Sequence, residues 1–123
     1  MNDLAKCILV FSASSDLVCC VAMLIAVLTS KVNIIAWTRL CMWAQSDDAN
    51  NELVMLLNAM MVANFSLLKF LAYHMEDSTI GAISLLLENL VIGVAIMRGL
   101  VHNHAHGWTV LTLGAVCFTY MLM

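Results

Sequence analysis

Four long apolar stretches alternate with short polar ones along this chain, at about residues 7–28, 53–73, 80–101 and 108–123. Each is close to the ~20 residues an α-helix needs to cross ~30 Å of hydrocarbon. The fourth is the shortest, and is expected to stand with less tilt or to end within the interface. Between the first two, residues 34–43 are apolar but too few to span; Trp37, Arg39 and Trp43 there suit a helix lying along the membrane surface. Residues 46–52 are polar and can cap the second helix. The connections at 74–79 and 102–107 are very short, and short connections force antiparallel neighbours. The pattern therefore predicts an all-α fold: one integral membrane domain over residues 1–123, an up-down bundle of four transmembrane helices with a short interfacial helix between the first two.

Composition agrees with that reading. Of 123 residues, 63% are hydrophobic and 11% charged, and the mean hydropathy is +0.97. A soluble domain averages about 45–50% apolar and about 25% charged residues, so the lipid bilayer is the expected partner. The expected location is the bacterial or mitochondrial inner membrane. A net charge of −3 with no basic cluster argues against nucleic acid. With no proline, no helix needs a proline kink. The five cysteines are odd in number and form no C-x-x-C; they read as reduced thiols serving as small apolar side chains. The first apolar stretch is longer than a secretory h-region and has no small-x-small cleavage site after it, which predicts a retained helix. Lys6 and Lys69 fall toward one face, and Lys31, Arg39 and Arg98 toward the other. That is a weak positive-inside signal and permits orientation set by a partner.

Against this apolar background two carboxylates stand out. Asp16 and Glu88 lie inside predicted spans, where an ionisable group costs at least ~2.5 kcal/mol. At 1.5 Å per residue, Asp16, Glu88 and Asn64 all lie roughly 12–14 Å from one face, and Lys69 is shallower, with a stem able to snorkel out or reach a carboxylate. Helical spacing groups small and polar residues into stripes: Ser12, Ser15, Asp16, Cys19, Cys20 and Met23 on the first helix, and Asn58, Val62, Phe65 and Lys69 on the second. Gly81, Ser84, Glu88, Ala95 and Gly99 align on the third, and Thr109, Thr112, Val116 and Thr119 on the fourth. Membrane helices pack through such stripes. Asp16, Glu88, Asn64 and Lys69 then have two readings. They hold the bundle together as buried hydrogen-bonded groups, or they form a proton or cation relay, since burial in hydrocarbon favours the protonated carboxyl that a proton carrier needs.

Other signals are weaker. His102, His104 and His106 alternate along the last connection, and neutral imidazoles bind zinc or copper. No cysteine or carboxylate stands nearby to complete such a site, so an interfacial loop whose charge follows pH is favoured. Ten methionines read as adaptable packing. No nucleophile–base pair, phosphate loop or metal motif occurs, so neither a self-contained enzyme nor a bound cofactor is expected.

Two segments resemble the small K-type (4L-type) membrane subunit of respiratory complex I. They are Glu52-Leu53-Val54-Met55-Leu56-Leu57-Asn58-Ala59 with Asn64-Phe65, and Glu88-Asn89-Leu90-Val91-Ile92-Gly93-Val94-Ala95-Ile96. The first looks like that family's glutamate-led second helix, and the second like the glutamate, glycine and small apolar run of its third. The resemblance implies a non-catalytic subunit of a proton-translocating oxidoreductase with Glu88 in the relay. It covers less than half the chain. Glu52 here follows a polar loop, the interval from Glu88 to Gly93 is one residue longer, and the fourth apolar segment is additional. The leading expectation is a small polytopic subunit of a larger membrane complex, packed against other integral membrane subunits. The alternatives are a self-assembling pore of the holin or viroporin type, built as a homo-oligomer, and a small proton-coupled exporter.

Overall fold

The computed structural model describes residues 2–29, 49–98 and 104–123. They form four helices: α1 (Asp3–Leu28), α2 (Ala49–Met75), α3 (Ser78–Met97) and α4 (His104–Leu122), with no strand among the described residues. Three are long and apolar enough to cross a membrane: α1, the Met55–Met75 part of α2, and α3. The apolar part of α4, Gly107–Leu122, is shorter. The expected interfacial helix at 34–43 lies outside the described residues.

At α1 and at the α2–α3 connection the helices start and stop where the sequence provides a partner for the orphan backbone groups. Asn2 caps α1 by accepting from the Ala5 amide at 2.8 Å. The α2–α3 connection is only two residues long. Glu76 takes φ = 52°, and the Asp77 and Glu76 amides donate back to the Ala72 and Tyr73 carbonyls at 3.0 and 3.2 Å. That is the paired hydrogen-bond pattern of a left-handed helix terminus. Asp77 then caps α3, accepting from Thr79 and Ile80. So tight a reversal sets α2 and α3 antiparallel.

The core forms where small residues let helices approach. α1 and α2 close through Cys20, Met23 and Ala26 against Met55 and Ala59. At the other end Ala5, Leu9, Ala72, Ala82, Leu85 and Met121 bring all four helices together. Ile92 and Ala95 of α3 pack toward Val110 and Leu111 of α4. Two polar links tie the same end of the bundle: Asn2 Nδ2 donates to the Tyr120 hydroxyl at 2.9 Å, and Lys6 pairs with Glu76. The start of α1, the α2–α3 turn and the end of α4 therefore share one end. The outer surface is apolar, with Leu17, Val18, Ile25, Leu67, Leu90 and Val94 all exposed. A largely apolar exterior of this kind suits hydrocarbon.

Candidate functional site

The polar centre of the bundle is built by three helices around one ammonium group. Ser66 and Lys69, three residues apart on α2, face Ser12, Ala13 and Asp16 of α1. Ser66 Oγ donates to the Ala13 carbonyl at 2.8 Å, which brings the two backbones close. Lys69, with 0% exposure, then extends into the bundle. Its Nζ donates to Asp16 Oδ2 at 2.6 Å, to Ser12 Oγ at 2.8 Å and to Glu88 Oε2 of α3. An ammonium has three donors, and all three find acceptors. Buried charge persists only when paired and hydrogen-bonded, and this cluster meets that condition. With both carboxylates ionised it carries a net charge of −1.

A cavity of about 640 Å³ adjoins the cluster. Asp16 and Glu88 stand in its wall with Ser12, Ser15 and Asn89, whereas Lys69 does not line it. The ammonium lies behind the carboxylates, so the cavity meets their negative side. The remaining wall is apolar or thiol-bearing, from Ile8, Phe11 and Cys19 on α1 through Phe65 on α2 to Val110 and Cys117 on α4. Phe11 is 76% exposed and Leu113 59% exposed, and both line the cavity. The cavity thus reaches the outside of the bundle between α1 and α4, which converge at their Ala5 and Met121 ends.

Of the four relay candidates, the structure unites Asp16, Glu88 and Lys69 and leaves Asn64 out. Asn64 is exposed on α2, five residues and so roughly 140° around the helix from Lys69. Lys69 reaches inward instead of snorkelling. The α1 stripe divides its work, with Asp16, Cys20 and Met23 buried and Ser12, Ser15 and Cys19 lining the cavity. The threonine stripe of α4 does not pack inward. Thr109, Thr112 and Thr119 are exposed, and each donates to the carbonyl four residues earlier in its own helix. The inward face of α4 is instead Gly107, Val110, Gly114, Cys117 and Met121. Asn89, which sequence reasoning did not single out as a site residue, lines the cavity and crosses to α4, donating to the Leu111 carbonyl at 3.4 Å. Its place one position after Glu88 was the available signal.

His102 and the side chain of His106 lie outside the described residues, and His104 is exposed at the start of α4. Among the described residues no group of histidine, cysteine and acidic side chains is placed to hold a metal, and no disulfide forms. Comparison with known proteins finds no matching protein-family model, curated protein or solved structure.

Proposed function

We propose that this chain is a small polytopic subunit of a larger membrane protein complex, in which Asp16, Lys69 and Glu88 form a station for transferring a proton or cation. One observation carries the reading: the Lys69 ammonium is shared between carboxylates from two other helices, inside helices of membrane-spanning length. In a low-dielectric interior the uncharged state of such a cluster is the least costly. Two carboxylates and one ammonium become neutral by taking up one proton, and that proton can sit on either carboxylate. The cluster is thus a proton acceptor whose occupancy is set by small changes around it. The resemblance of the Glu88 segment to the K-type complex I subunit supports the same assignment. The apolar outer face of the helices gives partner subunits a surface to pack against.

The first test is native mass spectrometry of the protein extracted in mild detergent. Association with several different, larger membrane proteins is expected, and a homo-oligomer alone would overturn the subunit assignment. Within the purified complex, Asp16→Asn and Glu88→Gln should lower turnover while leaving assembly intact. Normal turnover in both variants would remove the relay.

A further inference from the structure

A proton station needs the two carboxylates but has no use for a mostly apolar cavity beside them. At about 640 Å³ this one is ligand-sized, since small-molecule sites run ~300–1,000 Å³ and combine apolar walls with a few placed polar groups. We propose that the cavity binds a hydrophobic organic monocation, which enters from the bilayer between α1 and α4.

The charge of the ligand follows from which groups face the void. Asp16 and Glu88 are in the wall, Lys69 is not, and among the described residues no other cationic side chain lines it. An anion would meet two carboxylates. A neutral acyl chain would leave both facing hydrocarbon. A single positive charge matches the net −1 of the ionised cluster, and the aromatic rings of Phe11 and Phe65 in the same wall are of the type that binds cations. The apolar character of the ligand follows from the rest of the lining and from the route in, past Phe11 and Leu113 on the outer surface.

The titratable groups around the cavity are Asp16, Cys7 and Cys19 from α1, Glu88 from α3 and Cys117 from α4, with Lys69 of α2 behind the carboxylates. The cation and a proton therefore compete for the same charge. Binding releases protons and weakens as pH falls. This site does not depend on the relay reading, because a ligand can occupy the cavity whether or not protons cross the membrane.

The test is calorimetric titration of the full chain in dodecyl maltoside with tetraphenylphosphonium, and in parallel with tetraphenylborate, a probe of the same shape and opposite charge. Saturable binding of the phosphonium alone is expected, weakening as pH falls. The triple variant Asp16→Asn, Glu88→Gln, Lys69→Met keeps the cluster's approximate volume without its charge and leaves no buried ion unpaired. It should lose the preference for the cation while keeping its helical circular dichroism. Ser15→Leu, which fills the wall and leaves the charges in place, should weaken phosphonium binding. Equal binding of both probes, no saturable binding, or an unchanged preference in the triple variant would overturn the proposal. The charge preference of the unmodified protein decides the matter even if a variant fails to fold. A protein that binds the cation but joins no larger complex would retain this site and lose the subunit assignment.

Discussion

Lys69 is fully buried, and its stability rests on three acceptors: Ser12, Asp16 and Glu88. Removing one member of such a group strands the others. Lys69→Met should therefore cost about 3–5 kcal/mol near neutral pH, read from unfolding in mixed dodecyl maltoside and dodecyl sulfate micelles. The deficit should shrink in acid, because protonated carboxyls no longer need a cation. The neutral triple variant should recover most of the loss, since uncharged isosteres leave nothing unpaired. If Lys69→Met matched the unmodified protein at neutral pH, the ammonium would not be compensating charge. At the α2–α3 turn, Lys6 hydrogen-bonds to Glu76 and holds its carboxyl below the usual range. A depressed carboxyl stabilises the fold above its unfolded value of ~4.3 and loses that contribution as pH falls through the folded value. Glu76→Gln should thus be less stable than the unmodified protein at neutral pH and equal to it in strong acid. The difference should also diminish with salt, as both groups are exposed; a gap that persists in acid would point to the turn and not to the ion pair. Asp16 and Glu88 were legible in the sequence because charge inside an apolar run is conspicuous. The direction of Lys69 was not, since four methylenes serve a snorkelling head and an inward one equally. Asn64 was misgrouped because depth was matched without azimuth.

Helix pairing rests on close approaches that one methyl group disturbs. A Cβ on Gly114 would lie 2.1 Å from Asn89 Oδ1 and 2.8 Å from its Cγ. The amide of Asn89 thus occupies the space that glycine leaves open, and from there it reaches the Leu111 carbonyl. Gly114→Ala should destabilise the α3–α4 pair by ~1–3 kcal/mol, the usual range for overpacking. Asn89→Ala loses a hydrogen bond but frees the space, so adding it to Gly114→Ala should cost less than the two changes summed. A double-mutant cycle measures that coupling, and strict additivity would contradict the contact. Gly81 faces side-chain ends only: its Cβ would meet the terminal Met121 Cε at 2.9 Å and Leu9 Cδ2 at 3.0 Å, and methionine can rotate away. Gly81→Ala is accordingly expected to be the milder of the two. Gly99 lies outside the described residues, but the stripes of α1 and α2, and that of α3 from Gly81 to Ala95, could be read from spacing, and so could the shortness of the α2–α3 connection. The face of α4 could not. Threonine satisfies its hydroxyl on its own helix, so polarity there marks no interface, and the packed face is the less conspicuous line of glycine and apolar residues.

At the scale of the whole molecule the decisive question is whether α4 crosses the bilayer. Its apolar part, Gly107–Leu122, has 16 residues and rises ~24 Å, short of the ~30 Å hydrocarbon core. Local thinning, or anchoring by Trp108 at one end and Tyr120 at the other, can make up such a mismatch at a fraction of a kcal/mol per Å. Two contacts favour crossing. Tyr120 accepts from Asn2 at the start of α1, and Met121 packs with Ala5 and Leu9, so the end of α4 is level with the beginning of α1. The α2–α3 turn lies at that same end through Glu76 and Lys6. If α4 crosses, residue 2, residue 76 and residue 123 share one compartment. Reporter fusions at the two termini should therefore respond alike, and a charged thiol reagent should label Glu76→Cys from the side that also reaches a cysteine placed at Asn2. Termini in opposite compartments would reduce α4 to a surface helix. That outcome would also leave the cavity between α1 and α4 without its outer wall, because Val110, Gly114 and Cys117 could no longer stand at the depth of Asp16 and Glu88. The weak charge bias adds a further expectation, since two lysines on one side against three basic residues on the other leave orientation finely balanced. Adding two arginines after Met123 should shift the population of molecules toward cytoplasmic termini, read by the same paired reporters, whereas a chain fixed in place by partner subunits would keep its orientation.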